Sequence, residues 1–329
     1  MTVDDPWDDR AVLVTGGCGF IGSHLVEELL ARGATVRVLD AYNSSSHRGH
    51  LEGNPHPSLD VHLGDVADPF LVNRLCDGVD TVFHLAALIG IPYSYTAPAH
   101  YVTTNVNGTL AVLEAVRSQE VRRMVHTSTS ETYGSAQFTP MTEDHPLVAQ
   151  SPYAATKVAA DQLALSYYRS FDTPVAVCRP FNTFGPRQSM RAVLPTLMAQ
   201  ALHAEEIAVG ALDPVRDMNY VADTVDGFLR IASTPDVEGE TFNLGSGVGR
   251  TVGEMLDLVQ TVAGSDKPVR VDAERRRPDK SEVLALVCDF TKAADRLGYA
   301  PTVGFETGLE RLRDHLLANP PADASPYRI

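Results

Sequence analysis

Tyr153 and Lys157 stand four residues apart in Ser151-Pro152-Tyr153-Ala154-Ala155-Thr156-Lys157, a spacing that puts a phenol and an ammonium on one face of a helix. Upstream, Thr129 and Glu131 follow the strand-like run from Val121 to Thr127. An alcohol and a carboxyl group at a strand end can meet the phenol and ammonium across a pocket. Together the four groups supply acid–base chemistry that can support a redox step, given a cofactor. A free phenol titrates near ~10. A neighbouring ammonium and an oxidised cofactor beside it both favour the phenolate, so the expectation is a Tyr153 lowered toward neutrality and acting as a base.

The elements that position these groups are legible on either side. Ser151 reads as a helix N-cap and Pro152 as the first helical residue. Near the start of the chain, Ala11 to Thr15 is a short apolar strand followed by Gly16-Gly17-Cys18-Gly19-Phe20-Ile21-Gly22 and a helical pattern stopped by Gly33. Thr35 to Leu39 forms the next strand and ends on Asp40. Strand, glycine turn, helix, strand and acid is the context in which backbone N–H groups receive a pyrophosphate. Gly16 permits the tight turn, Gly19 the approach of the pyrophosphate, and Gly22 close helix–strand packing. Asp40 should accept from a ribose diol and repel a 2′-phosphate, which favours NAD over NADP.

The alternation continues through strands at 59–63, 81–85, 121–127 and 175–178, with helices near 98–118 and 152–170. This predicts an α/β protein: a Rossmann-like doubly wound parallel sheet, with a smaller C-terminal α/β substrate domain. The division expected is 10–179, with 218–235 packing back on it, against 180–217 and 236–318. Ligands in such sheets sit at the carboxyl ends of the strands, which adds Asn43, Asp65, Val66, Leu85, Ala86 and Ala87 to the cofactor candidates. These join Gly16, Gly19, Phe20, Ile21, Gly22 and Asp40, together with Tyr153 and Lys157. His84 reads as a strand residue, since no second metal ligand is spaced beside it.

Composition narrows the class. A net charge of −15 over 329 residues argues against general nucleic-acid binding. The four cysteines have no CxxC spacing, so no metal site or disulfide framework is expected. No apolar run reaches membrane-spanning length and the acidic N-terminus lacks a signal-peptide pattern, so the expected setting is cytoplasmic.

These motifs resemble the extended short-chain dehydrogenase/reductases, in their NAD-dependent nucleotide-sugar epimerase/dehydratase branch. The resemblance runs over roughly residues 10 to 315. It includes Gly64-Asp65-Val66, His84-Leu85-Ala86-Ala87, Asn105-Val106-Asn107-Gly108-Thr109 and Arg216-Asp217-Met218-Asn219-Tyr220-Val221. It implies that Thr129 bonds the substrate's 4-hydroxyl beside Tyr153, that Lys157 holds the nicotinamide ribose, and that Asn105 braces the tyrosine helix. It also implies that Asn182, Arg216, Arg277 and Glu282 serve the diphosphate, sugar or ribose of a nucleotide-sugar, with Arg187 and Arg191 as further candidates.

Glu131 separates the branches. A C4 epimerase oxidises C4 and returns the hydride, with no need of an extra base. A 4,6-dehydratase must also remove the C5 proton and expel the C6 hydroxyl, and a carboxyl group suits both jobs. Thr129-Ser130-Glu131 resembles the Thr-Ser-Glu of GDP-mannose 4,6-dehydratases and differs from the Thr-Asp-Glu of dTDP-glucose 4,6-dehydratases. UDP-glucuronate decarboxylases carry the same triplet. The surrounding loops are most similar to N-acetylglucosamine-type 4,6-dehydratases. The leading expectation is therefore a nucleotide-sugar 4,6-dehydratase, with C4 epimerase and decarboxylase as rivals. A dinucleotide sensor or RNA-binding member of the fold is the non-enzymic alternative, opposed by the Tyr153/Lys157 pair and the acidic charge. Apolar positions Val102, Val106, Leu110 and Leu113, with Val158, Leu163 and Leu165, fit either a homodimer interface or core packing.

Overall fold

Valine-rich runs such as Ala11–Thr15 have no polar alternation, as expected of strands covered on both faces. In the computed structural model, which describes residues 6–272 and 283–321, they build a parallel seven-stranded sheet. Its strands are β1 (Ala11–Thr15), β2 (Thr35–Ala41), β3 (Leu59–Gly64), β4 (Thr81–His84), β5 (Arg123–Thr127) and β6 (Val175–Pro180), joined by β10 (Thr241–Leu244). The spatial order is β10-β6-β5-β4-β1-β2-β3. Val12, Leu13, Val14, Val36 and Val38 are essentially inaccessible, each side chain contributing roughly 1.5–3 kcal/mol of burial.

The order reverses between β1 and β4, where Thr15 lies beside His84. That crevice at the carboxyl ends is where such a sheet binds ligands. The helix Phe20–Ala31 leaves the glycine turn on one side of it. On the other face lie the helices Gly108–Ser118 and Pro152–Phe171. The latter starts as expected: Ser151 Oγ accepts from Ala154 N–H at 3.1 Å, Pro152 follows, and Asp172 ends the helix in the left-handed region.

A second, four-stranded sheet is built around β9 (Val215–Tyr220). It pairs with β7 (Asn182–Phe184), β11 (Gly249–Thr251) and β13 (Ala285–Leu286). A two-stranded pair joins β8 (Ile207–Val209) to β12 (Val269–Val271). The apolar cluster here uses the helices Val193–His203, Val252–Ala263 and Phe305–Ala318.

Two boundaries differ from the expected division. Of 218–235, only the helix Val221–Ser233 packs on the large sheet, against β5 and β6; its preceding residues belong to β9 in the smaller sheet. Conversely Thr241–Leu244, assigned to the second half, is the large sheet's edge strand beside β6. Strand pairing over that sequence distance depends on tertiary packing, which local pattern does not report.

Candidate active site

The end of β5 alternates its side chains as a strand must. Ser128 turns into the core, where its Oγ donates to Asp161 Oδ2 at 2.6 Å. Thr129 turns the other way, accepting from Glu131 N–H at 3.2 Å while its hydroxyl bonds the Tyr153 phenol. Thr129 thereby caps a short turn, Ser130–Tyr133, that carries Glu131. Tyr153 is buried, with Tyr101 edge-on at 6.3 Å, and Glu131's charge reaches its phenol. The structure therefore brings Thr129, Glu131 and Tyr153 together, with Lys157 on the same helix.

The protein alone does not lower Tyr153 toward neutrality. Burial pushes its pKa well above the ordinary phenol range, the Thr129 bond opposes this, and the negative charge of Glu131 reinforces it. Lys157 is turned to the backbone, donating from Nζ to the Thr127 carbonyl at 2.6 Å. Burial lowers Lys157 to about 8, and the charge of Asp161 opposes that fall. An ammonium has three donors, so two remain for a ligand.

Beneath the pair lies a buried polar network that sequence reading missed. Asp161 Oδ2 accepts from Arg179 Nη2 at 2.7 Å, and His126 Nε2 lies 3.2 Å from Oδ1. Arg179 Nη1 donates to Tyr133 Oη at 2.8 Å, and Tyr133 in turn donates to Asn243 Oδ1 at 2.7 Å. His84 spans Thr15 and Thr109 at 2.7 and 3.0 Å, so it is a strand residue with protein partners. The available signal was charge in apolar surroundings: Arg179 closing Val-Ala-Val-Cys, and Asp161 on a helix face otherwise rich in alanine and leucine.

Burial alone would raise Asp161, but His126, Arg179 and Ser128 hold it down, from 3.8 to about 2. A depressed carboxylate stabilises the fold fully above its unfolded value, and that stability is lost as pH falls through the folded one. About 2 kcal/mol is at stake. Thermal unfolding followed between pH 5 and pH 2 should show the wild-type midpoint dropping across this window, with the drop flattened in Asp161→Asn.

Asn105 braces the site from behind. It sits in a π-helical turn, Val102–Asn107. Its Nδ2 donates to the Leu88 carbonyl at 3.0 Å and Thr156 Oγ1 at 3.1 Å, and its Oδ1 accepts from Leu88 N–H at 2.8 Å.

The glycine turn forms the adjoining cradle. Gly16 has φ +74°, and a Cβ there would lie 2.8 Å from Ala86 N, so the turn lies against the segment after β4. Phe20, Ile21 and Gly22 offer their N–H groups ahead of the first helical bond, from Ser23 N–H to Gly19 O at 3.0 Å. A cavity of about 210 Å³ is lined by Cys18, Gly19, Asp40, Asn43, His47 and Leu63, among others. Asp40 accepts from Cys18 N–H and Ala41 N–H, both at 2.7 Å, which fixes its carboxylate in the cavity wall with acceptor capacity left. Asp65 is exposed at the end of β3 and Val66 buried beside it; Leu85, Ala86 and Ala87 are half-buried after β4. A Cβ on Gly22 would lie 2.2 Å from Gly16 O. Gly22→Ala should therefore cost about 1–3 kcal/mol, measured as a lower melting temperature together with weaker NAD binding in titration.

The sequence model of the GDP-mannose 4,6-dehydratase family matches residues 13–312. The chain belongs to this family. A dTDP-glucose 4,6-dehydratase of Streptomyces antibioticus is 35% identical over 313 residues, 92% of this chain and 91% of its own. UDP-glucuronic acid decarboxylase 2 of Arabidopsis thaliana is 32% identical, over 91% of this chain and 66% of its own. Among solved structures, the dTDP-glucose 4,6-dehydratase DesIV of Streptomyces venezuelae, with NAD bound, superposes with a TM-score of 0.87 at 32% identity, covering 94% of this chain and 98% of that one. The UDP-N-acetylglucosamine 4-epimerase of Methanobrevibacter ruminantium gives 0.88 at 27%, covering 94% and 99%.

The substrate-side expectations for this family member divide. Asn182 begins β7 with its Nδ2 buried and, among the described residues, without a hydrogen-bond partner. Arg216 is buried in β9, and one of its guanidinium nitrogens donates to the Val215 carbonyl at 3.0 Å. Arg187 bonds Ser23 Oγ at 3.2 Å and Glu27 at 2.8 Å, so its guanidinium ties the loop after β7 to the glycine-turn helix. A loop residue with an arginine fork takes the nearest carboxylate, and sequence distance hid Glu27. Arg191 is exposed. Arg277 and Glu282 lie outside the described residues. Among the described residues no cluster suits a metal ion, and no helix is long and apolar enough to cross a membrane.

Proposed function

We propose that this chain is an NAD-dependent nucleotide-sugar 4,6-dehydratase, converting a nucleoside-diphosphate hexose or N-acetylhexosamine to its 4-keto-6-deoxy product. The observation that carries the reading is Glu131, placed by the Thr129-capped turn where its charge reaches the Tyr153 phenol. The cradle of Gly16, Gly19 and Gly22, the free N–H groups and the Asp40 carboxylate fit a dinucleotide with an unmodified ribose diol. NAD, when bound, supplies the hydride acceptor at C4 and the donor at C6. Thr129 orients the 4-hydroxyl and Tyr153 takes its proton. Lys157 offers its remaining donors to the nicotinamide ribose. Glu131 then removes the C5 proton, acidified by the 4-keto group, and delivers a proton to the C6 hydroxyl, which leaves as water. Position 130 is a buried serine, so in this chain one carboxyl group serves as base and then acid.

Asn182 and Arg216 are proposed to meet the diphosphate and sugar, the orphaned amide of Asn182 being the support for its part. A homodimer through the helices at 98–118 and 152–170 is also proposed. Val102 and Leu110 are exposed on that face, whereas Leu113 and Leu165 are core residues.

The test is incubation of the purified protein with UDP-, GDP-, CDP- and dTDP-linked sugars, followed by mass spectrometry. Loss of one water with a 4-keto product supports dehydration. Unchanged mass with inverted C4 favours the epimerase, and loss of carbon dioxide from a uronate favours the decarboxylase.

A further inference from the structure

We propose that the buried Asp161–Arg179 ion pair is a positioning device that ties the tyrosine helix to the Glu131 turn and keeps Lys157 charged while the first step runs. The proposal rests on the oxidation of a substrate alcohol by Tyr153 and NAD. Its geometry is continuous. Asp161, fully buried and one turn beyond Lys157, holds Ser128 at 2.6 Å and Arg179 at 2.7 Å through the same oxygen. Arg179 reaches on to Tyr133 with a hydrogen bond of 2.8 Å and lies over its ring at 4.7 Å. Tyr133 closes the turn that carries Glu131. One carboxylate therefore references the redox half of the site and the elimination half to the same point.

Charge gives this pair a second consequence. The charged or titratable groups coupled to Lys157 are Asp161 one turn further along its own helix, His84 from β4 and His126 from β5, while Arg179 from β6 pairs with the same Asp161. Burial keeps both histidines neutral, an effect the Lys157 charge reinforces. Two buried cations, Lys157 and Arg179, then share a single fully buried anion, Asp161. A guanidinium does not give up its proton, so any loss of that anion falls on the lysine. Removing Arg179 instead leaves the whole of Asp161 to Lys157.

The two single substitutions are therefore expected to move the alkaline limb of the first step in opposite directions. Asp161→Asn should shift it down by about one pH unit or more, the size of effect a single neighbouring charge has. Arg179→Met should shift it up, and the double variant should return it toward wild type. The limb is read in single-turnover NADH formation with a sugar identified by the panel, and independently in the pH dependence of NAD affinity. A brace acting only through structure would lower amplitude or melting temperature without moving the limb. An unmoved limb in both single variants, or shifts of the same sign, would overturn the proposal. If Asp161→Asn fails to fold, Arg179→Met and the double variant, which removes the pair together, still decide it. Absence of NADH from every sugar in the wild type would refute the oxidation reading, while NAD affinity would still test the ion pair.

Discussion

Replacing Tyr153 by phenylalanine is expected to slow the first hydride transfer by about 10²–10⁴-fold, the usual contribution of a positioned acid–base group. The substitution removes one oxygen and little else. The ring keeps its edge contact with Tyr101, and Thr129 keeps its bond from Glu131 N–H. The stability cost is that of one hydrogen bond, about 1 kcal/mol. NAD affinity should change little. Stopped-flow absorbance of NADH, beside a thermal melt, separates the two effects. A variant that melts normally and still reduces NAD at the wild-type rate would remove Tyr153 from the chemistry. The pH dependence carries the same information. Burial holds the phenol protonated, so proton removal should become easier as pH rises, up to the point where Lys157, near 8, gives up its charge.

Glu131→Gln should have the complementary outcome. The amide keeps the size and turn geometry of the glutamate but cannot accept the C5 proton. Elimination should fall by about 10²–10⁴-fold, while NADH still forms and persists because the next step is blocked. The oxidation half should even improve slightly, since a negative charge acting against the Tyr153 phenolate is gone. Product mass and NADH absorbance, followed together, check this. Elimination at an undiminished rate would mean that another group serves as the base.

Much of this site was readable because its determinants are local. Tyr153 and Lys157 share a helix whose start is announced by Ser151 and Pro152, and the glycine turn sits between two short strands. Thr129 and Glu131 fall at a strand end that the apolar run from Val121 marks. What escaped depended on chain segments far apart. Arg187 is more than a hundred residues from its partner Glu27. Thr241–Leu244 returns to the large sheet after a long excursion through the smaller one. The Tyr153 phenol was expected to be lowered by the ammonium and an oxidised nicotinamide together, and spacing shows that the ammonium is near but not the direction it points. In the folded chain Lys157 bonds a main-chain carbonyl, and burial decides the phenol. The Asp161–Arg179 pair is intermediate: each charge was visible as an anomaly in its own element, but their meeting was not.

In the proposed reaction one chain oxidises a sugar at C4, eliminates water across C5–C6 and restores the hydride at C6. A substrate deuterated at C4 follows that hydride directly. With dTDP-glucose and UDP-N-acetylglucosamine labelled in this way, mass and NMR analysis should find, for the sugar turned over, a product lighter by one water with the deuterium moved to C6. Deuterium returned to C4 of a sugar of unchanged mass would contradict the account and make the enzyme an epimerase.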